Sequence, residues 1–138
     1  MKKTAGYSTT PLARKLGLKP GHHYLLVHEP EHYTELFADW PEDVHPIQEP
    51  TSESTDFIHL FATERESLTA ELAELKPCLK KNGLLWISWP KGKSKIPTDV
   101  NRESVREIGL AAGLVDVKVC AVDEDWSALK FVYRIKDR

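Results

Sequence analysis

The residues in this chain that first invite a chemical reading are its six histidines: His22, His23, His28, His32, His45 and His59. A metal site needs about four donors at recognisable spacing, and acid–base work needs an imidazole held by a partner acid. His28 and His32 stand four apart, a spacing that would put both rings on one helical face, but Pro30 lies between them and breaks that face. His22-His23 has no matching acid cluster. His59 sits between Ile58 and Leu60, where a buried, hydrogen-bonded imidazole is expected. Cys78 and Cys120 form no Cys-x-x-Cys pair and read as small buried hydrophobes in a reducing compartment. Ser88 lies inside Trp86-Ile87-Ser88-Trp89, not in the G-x-S-x-G turn of hydrolases. Neither of the glycine-rich phosphate-binding patterns, G-x-x-x-x-G-K-[ST] and G-x-G-x-x-G, occurs. The residues therefore assign no catalytic group, no metal and no cofactor.

Two lysine features stand apart. Lys91, Lys93 and Lys95 form a small basic loop, suited to solvent or to an anionic contact. Lys130 shares a face with Trp126, Ala128 and Val132 in an interior strand, where it must pair with an acid or reach outward along its aliphatic stem. The net charge is −2 with no run of five like charges, which argues against a nucleic-acid partner. No apolar run approaches the roughly 20 residues of a membrane span, and no apolar stretch follows Met1-Lys2-Lys3-Thr4 as in a signal peptide. A cytoplasmic location is expected.

The elements that must position these groups follow from hydrophobic patterning. A chain of 138 residues, 41% hydrophobic, fits one α/β domain with an N-terminal arm over 1–21 and a core over 22–135. In the arm, Pro11 opens a short helix carrying Leu12, Leu16 and Leu18. Tyr24 to Val27, Asp56 to Phe61 and Leu84 to Trp89 are continuous apolar runs of the kind buried on both faces of a parallel sheet. Between them, helices are expected over 31–39 and 64–80, the second stopped by Asn82-Gly83. Val44 to Ile47 reads as a short edge strand. A helix over 100–112, capped by Asp99 or Asn101, leads to a hairpin of Leu114 to Val122 and Trp126 to Ile135. Alternating strands and helices give a mainly parallel sheet, to which the hairpin adds one antiparallel strand.

In such sheets ligands gather beyond the carboxyl ends of the parallel strands. That rim collects His28 and Glu29, then Thr63, then Trp89 and Lys91, then Asp123, Asp125 and Trp126. Lys91 is expected beside Asp123 or Asp125, with Trp89 and Trp126 close together.

The segment Leu75-Lys76-Pro77-Cys78-Leu79-Lys80-Lys81-Asn82-Gly83-Leu84-Leu85-Trp86-Ile87 and the segment Gly109 to Val119 resemble parts of the class I S-adenosylmethionine-dependent methyltransferases. The resemblance implies a Rossmann-like sheet whose last strand inserts between its two predecessors. Motifs through the rest of the chain resemble a small bacterial family catalogued as a domain of unknown function. They are Gly6-Tyr7-Ser8-Thr9-Thr10-Pro11-Leu12, Lys15-Leu16-Gly17, Lys19-Pro20-Gly21, Asp56 to Phe61, Trp86 to Lys91 and Asp116 to Asp123. That resemblance brings no activity with it.

The methyltransferase resemblance implies a cofactor loop after the first strand with the pattern G-x-G-x-G, because the backbone there approaches the ligand and takes positive φ. Here that loop is His28-Glu29-Pro30-Glu31-His32. It has no glycine, Pro30 lacks an N–H, and Glu29 and Glu31 would repel the cofactor's carboxylate. The stretch from the first strand to Asp56 holds one reduced strand–helix unit where the family has two. The expectation is a truncated methyltransferase-like scaffold without the cofactor. It would act as a non-catalytic binding or regulatory module for a small molecule or protein not identified by the sequence. The alternatives are an enzyme that uses the rim, such as a divergent methyltransferase, and a structural protein that self-associates through an edge strand or the arm.

Overall fold

A computed structural model describes residues 10–138; Gly6, Tyr7 and the rest of residues 1–9, including the first part of the arm, lie outside the described residues. Six strands form one sheet in the order β2-β1-β3-β4-β6-β5. These are β1 (His23–Val27), β2 (His45–Pro46), β3 (Thr55–Phe61), β4 (Leu79–Pro90), β5 (Leu114–Ala121) and β6 (Trp126–Tyr133). The first four are mutually parallel, and β6 runs antiparallel between β4 and β5. The late insertion of the last strand is the arrangement that the methyltransferase resemblance implies.

Side chains alternate across the sheet, as the strand period of two requires. One face carries Ile58, Leu60, Leu85, Ile87, Trp89, Leu129 and Phe131. Two helices cover it, α2 (Arg65–Leu75) through Leu68 and Leu72, and α3 (Arg102–Ala111) through Val105. The helix α3 starts in a capping box, where Asn101 and Ser104 satisfy each other's backbone amides. It approaches β6 closely at Gly109, where a Cβ would stand 2.1 Å from the ring of Phe131.

The opposite face carries Phe57, Phe61, Trp86, Trp126 and Ala128. It is covered by the five-residue α1 (Leu12–Leu16) and a single 3-10 turn, Tyr33–Leu36, which contribute Leu12, Leu16 and Tyr33, with Phe37 just beyond the turn. A helix this short does not hold itself in water. Long-range hydrogen bonds hold it instead. Asp39 accepts from the amides of Ala13 and Arg14 (2.9 and 3.0 Å), and the Trp86 indole donates to the Leu16 carbonyl (2.7 Å). Lys15 Nζ donates to the carbonyl of Ala121 (3.0 Å).

Three expected elements differ. The helix expected over 31–39 is only the 3-10 turn, because Phe37 is already extended and Asp39 leaves to cap α1. The helix expected over 64–80 ends at Leu75, with a 3-10 turn over Lys76–Cys78. Pro77 has no N–H to continue the helical ladder. Asn82-Gly83, expected as the helix stop, lies inside β4 instead. There Leu79 pairs with Thr55 but Leu84 pairs with Phe57, so the strand bulges. Glycine suits that bulge, since a Cβ at Gly83 would crowd Leu79, the Lys80 carbonyl and the Asp56 carbonyl at 2.7–3.1 Å. The expected edge strand is His45–Pro46, paired with β1 at His23 and Tyr24.

Candidate functional site

The loop after β1 is pinned at both ends. His28 is in the left-handed region (φ 57°), and its imidazole hydrogen-bonds the Glu71 carboxylate on α2. At the other end, His32 Nε2 lies 3.3 Å from Asp123 Oδ2 in the β5–β6 turn. Between them the Pro30 carbonyl accepts from the Tyr33 amide (3.0 Å), which starts the 3-10 turn.

A cavity flanks each end. Beside His28 is one of about 290 Å³, lined by Phe61, Thr63, Glu64, Ser67, Glu71 and Trp126 among others. Beside His32 is one of about 420 Å³, lined by Lys15, Glu35, Phe37, Val122, Asp123 and Asp125 among others. Both are at or near the lower end of the size of small-molecule sites.

The rim residues are divided among these places. His28, Thr63 and Trp126 line the first cavity. Asp123 and Asp125 line the second. Glu29 is exposed on the loop. Trp89 and Trp126 do not come together: Pro90 is the strand partner of Trp126, so Trp89 points to the α2–α3 face while Trp126 meets Phe61 edge-on at 5.0 Å on the other. The backbones of Lys91 and Asp125 do meet, N–H to carbonyl at 2.8 Å. Lys91 thus stands beside Asp125 as expected, but their side chains form no ion pair among the described residues. Asp123 is committed to His32 and to the amides of Asp125 and Trp126 (2.8 and 2.9 Å), and Asp125 accepts from Ser94 (3.1 Å).

Glu64, Ser67 and Glu71 complete the first cavity and were not singled out in the sequence. Their spacing of three and four held the signal, since it aligns them on one side of a helix that begins where β3 ends.

His59 is buried beneath the loop, stacked on Phe61 at 4.3 Å. Tyr33 Oη lies 2.9 Å from its Nδ1 and Ser88 Oγ 2.7 Å from its Nε2. A neutral imidazole accepts at one nitrogen and donates from the other, so two hydroxyls satisfy it. Burial lowers its pKa to about 3 and raises that of Tyr33 well above the usual tyrosine value. This Tyr–His–Ser chain ties the 3-10 turn to the sheet.

Burial, helped by Lys118, also lowers the pKa of Lys130, whose Nζ stands 5.8 Å from the Trp86 ring with no acid paired to it among the described residues. Cys78 and Cys120 are both free, and burial pushes the Cys120 thiol up. Among the described residues no three His, Cys, Asp or Glu side chains are grouped to hold a metal, and no helix is long and apolar enough to cross a membrane.

A model of the family described as "Protein of unknown function (DUF3052)" matches residues 41–135. The chain belongs to that family. No curated protein matches it in sequence. Solved structures resemble the DUF3052 chain in fold. A S-adenosylmethionine-dependent methyltransferase from Aquifex aeolicus superposes with a TM-score of 0.63 at 16% identity, over 87% of this chain and 86% of that one. The PH0226 protein of Pyrococcus horikoshii gives 0.63 at 12%, over 89% and 86%. The 1,6-didemethyltoxoflavin-N1-methyltransferase of Burkholderia thailandensis gives 0.58 at 14%, over 87% and 73%. Identities this low show the fold alone: a Rossmann-like, methyltransferase-type sheet.

The methyl donor used by that fold does not fit the residues that this DUF3052 chain presents. The loop after β1 has no glycine, its Pro30 offers no N–H, and its first side chain is taken up by Glu71. Glu29 and Glu31 add exposed negative charge to the same loop, which disfavours the donor's carboxylate.

Proposed function

We propose that this protein is a non-catalytic binding or regulatory module, one α/β domain that keeps the methyltransferase scaffold and has given up its cofactor loop. The observation that carries this reading is the loop from His28 to His32, closed at one end by Glu71 and at the other by Asp123. Function resides in sites rather than folds, so a scaffold whose loop is tied down by its own side chains is read by what its rim still offers. Two free cysteines favour a reducing, cytoplasmic setting, and the family resemblance implies a bacterial one.

Isothermal titration with S-adenosylmethionine and S-adenosylhomocysteine tests the reading. No heat of binding is expected up to about 1 mM, and a micromolar Kd for either would overturn it.

A second reading, an enzyme that uses the rim as a divergent methyltransferase does, is favoured by two observations. His28 and Glu71 form an imidazole–carboxylate pair beside a cavity, the geometry of a general base. Glu49 follows three residues after β2, on the parallel edge where methyltransferases carry an acid for the ribose.

A further inference from the structure

We propose that the lysines converging on the α1 side of the β5–β6 edge, Lys19, Lys118 and Lys130, bind a phosphate-type oxyanion. The inference goes beyond the reading of the rim and does not rest on it, since β6 and β5 lie across β3 and β4 from β1.

Strand register brings two of these lysines together. Lys118 is the direct cross-strand partner of Lys130, so both side chains stand on one face. Like charges placed opposite each other destabilise a sheet unless an acid answers them. Here none does. Burial acts most strongly against the Lys130 ammonium, followed by the charge of Lys118; the Cys120 thiol favours it, and Lys19 opposes it again. The charges that act most on Cys120, two residues along β5 from Lys118, are likewise lysines: Lys15, Lys118 and Lys130. Among the described residues none of these lysines is ion-paired, whereas Lys80 is held by Asp56 at 3.1 Å.

The donors are largely unspent. Lys15 Nζ is committed to the Ala121 carbonyl at 3.0 Å, but Lys118 Nζ reaches the Lys15 carbonyl only at 3.5 Å. The Nζ atoms of Lys19 and Lys130 have no hydrogen-bond acceptor among the described residues. Lys130 is half-buried on an interior strand, with Nζ 5.8 Å from the centre of the Trp86 ring. An ammonium offers donors only, so an anion is the ligand it takes. A carboxylate brings one charge. A phosphate group brings nearly two and several acceptor oxygens, enough to join ammonium groups from two strands and the end of α1. Lysines on paired strands are held at a fixed spacing, which suits a built site. By contrast, Lys93 and Lys95 are exposed on a turn beside Asp125. On the face that Lys130 shares, Val132 and its strand partner Val115 are half-buried and offer apolar contact to the organic part of an ester.

The test is a titration of the full chain with sodium phosphate at about pH 7.5 and constant ionic strength, where the ion is mostly doubly charged. Amide, indole and lysine side-chain chemical shifts are the readout. Acetate serves as the singly charged comparison and phenyl phosphate as the ester. Expected are saturable shifts at residues 118–120 and 128–132 and at the Trp86 indole, with a Kd of about a few millimolar, as fits a five-atom ligand. Acetate should bind at least about fivefold more weakly. Tighter binding of phenyl phosphate assigns the site to an ester, and tighter binding of phosphate assigns it to the free ion; either upholds the oxyanion. Lys118→Gln, on the exposed edge strand, should weaken binding about threefold and Lys130→Met about tenfold, while Lys93→Gln leaves it unchanged. Absence of saturation by about 50 mM would overturn the proposal. So would acetate binding as tightly as phosphate, shifts centred on 91–96, or unchanged binding in both Lys118→Gln and Lys130→Met.

Discussion

The two faces of the sheet are built by different means. On the α2–α3 face, helices of 11 and 10 residues lay Leu68, Leu72 and Val105 against aliphatic strand residues, and most of the contact is apolar. On the α1 face, a five-residue helix and one 3-10 turn must close over Trp86, Phe57, Phe61 and Trp126. Apolar area alone does not orient elements that short, and this face is stitched by hydrogen bonds from Asp39, Trp86, Lys15 and the Tyr33–His59–Ser88 chain. Both faces carry polar connections, such as the Tyr133 hydroxyl to the Lys76 carbonyl on the first, but those of the second hold elements too short to hold themselves and span up to 106 residues of sequence.

The sharpest way to break this contrast is Trp86→Ala. It removes a wholly buried indole and leaves the Leu16 carbonyl without its donor. A loss of about 4 kcal/mol is expected in urea unfolding at pH 7. A loss of under 1 kcal/mol would show that α1 contributes little to the face it covers.

Acid should act through the same face. The folded state holds His59 near pKa 3 because of burial, while an unfolded histidine titrates near its ordinary value of 6.5. Between those values the unfolded chain binds the extra proton. The stabilisation from neutral His59 is therefore whole above about pH 6.5 and is lost as pH falls toward 3, with a slope of up to about 1.4 kcal/mol per pH unit. From pH 6.5 to 4.5 that amounts to about 2.3 kcal/mol, the slope being half its maximum at pH 6.5. Urea midpoints across this range should fall in the parent chain and flatten in His59→Gln, and parallel curves would remove His59 as the cause.

The smallest effect belongs to the other face. Gly109→Ala should cost about 2 kcal/mol, because the new Cβ overlaps Phe131 and α3 must lift. An unchanged stability would mean that α3 slides freely on β6.

What could be read from the sequence follows the same division. The three apolar strand runs, the hairpin and α3 with its Asn101 cap announce themselves by local pattern, because period and capping are properties of neighbouring residues. So does the buried role of His59 between Ile58 and Leu60. The second face was not legible. Nothing near Asp39 says that it caps a helix 25 residues earlier, and nothing near Lys91 says that Asp123 will already be held by His32. Strand alternation could have separated Trp89 from Trp126, had the partner of Trp126 been known to be Pro90. At the rim, the strands' ends bring His28, Thr63 and Trp126 to one cavity, whereas the acceptors on α2 needed the helix to be set against it.

The strand β1 lies between β2 and β3, yet the family match begins at residue 41, after β1, α1 and the 3-10 turn. A fragment cut to that match would leave β2 with no neighbour and would uncover an aromatic wall of Phe57, Phe61 and Trp86. The stretch that the family model matches is thus shorter than the stretch that must fold together. An insertion, fusion or excision planned from sequence likeness alone would remove the lid of one side of the molecule and the strand that its small edge leans on.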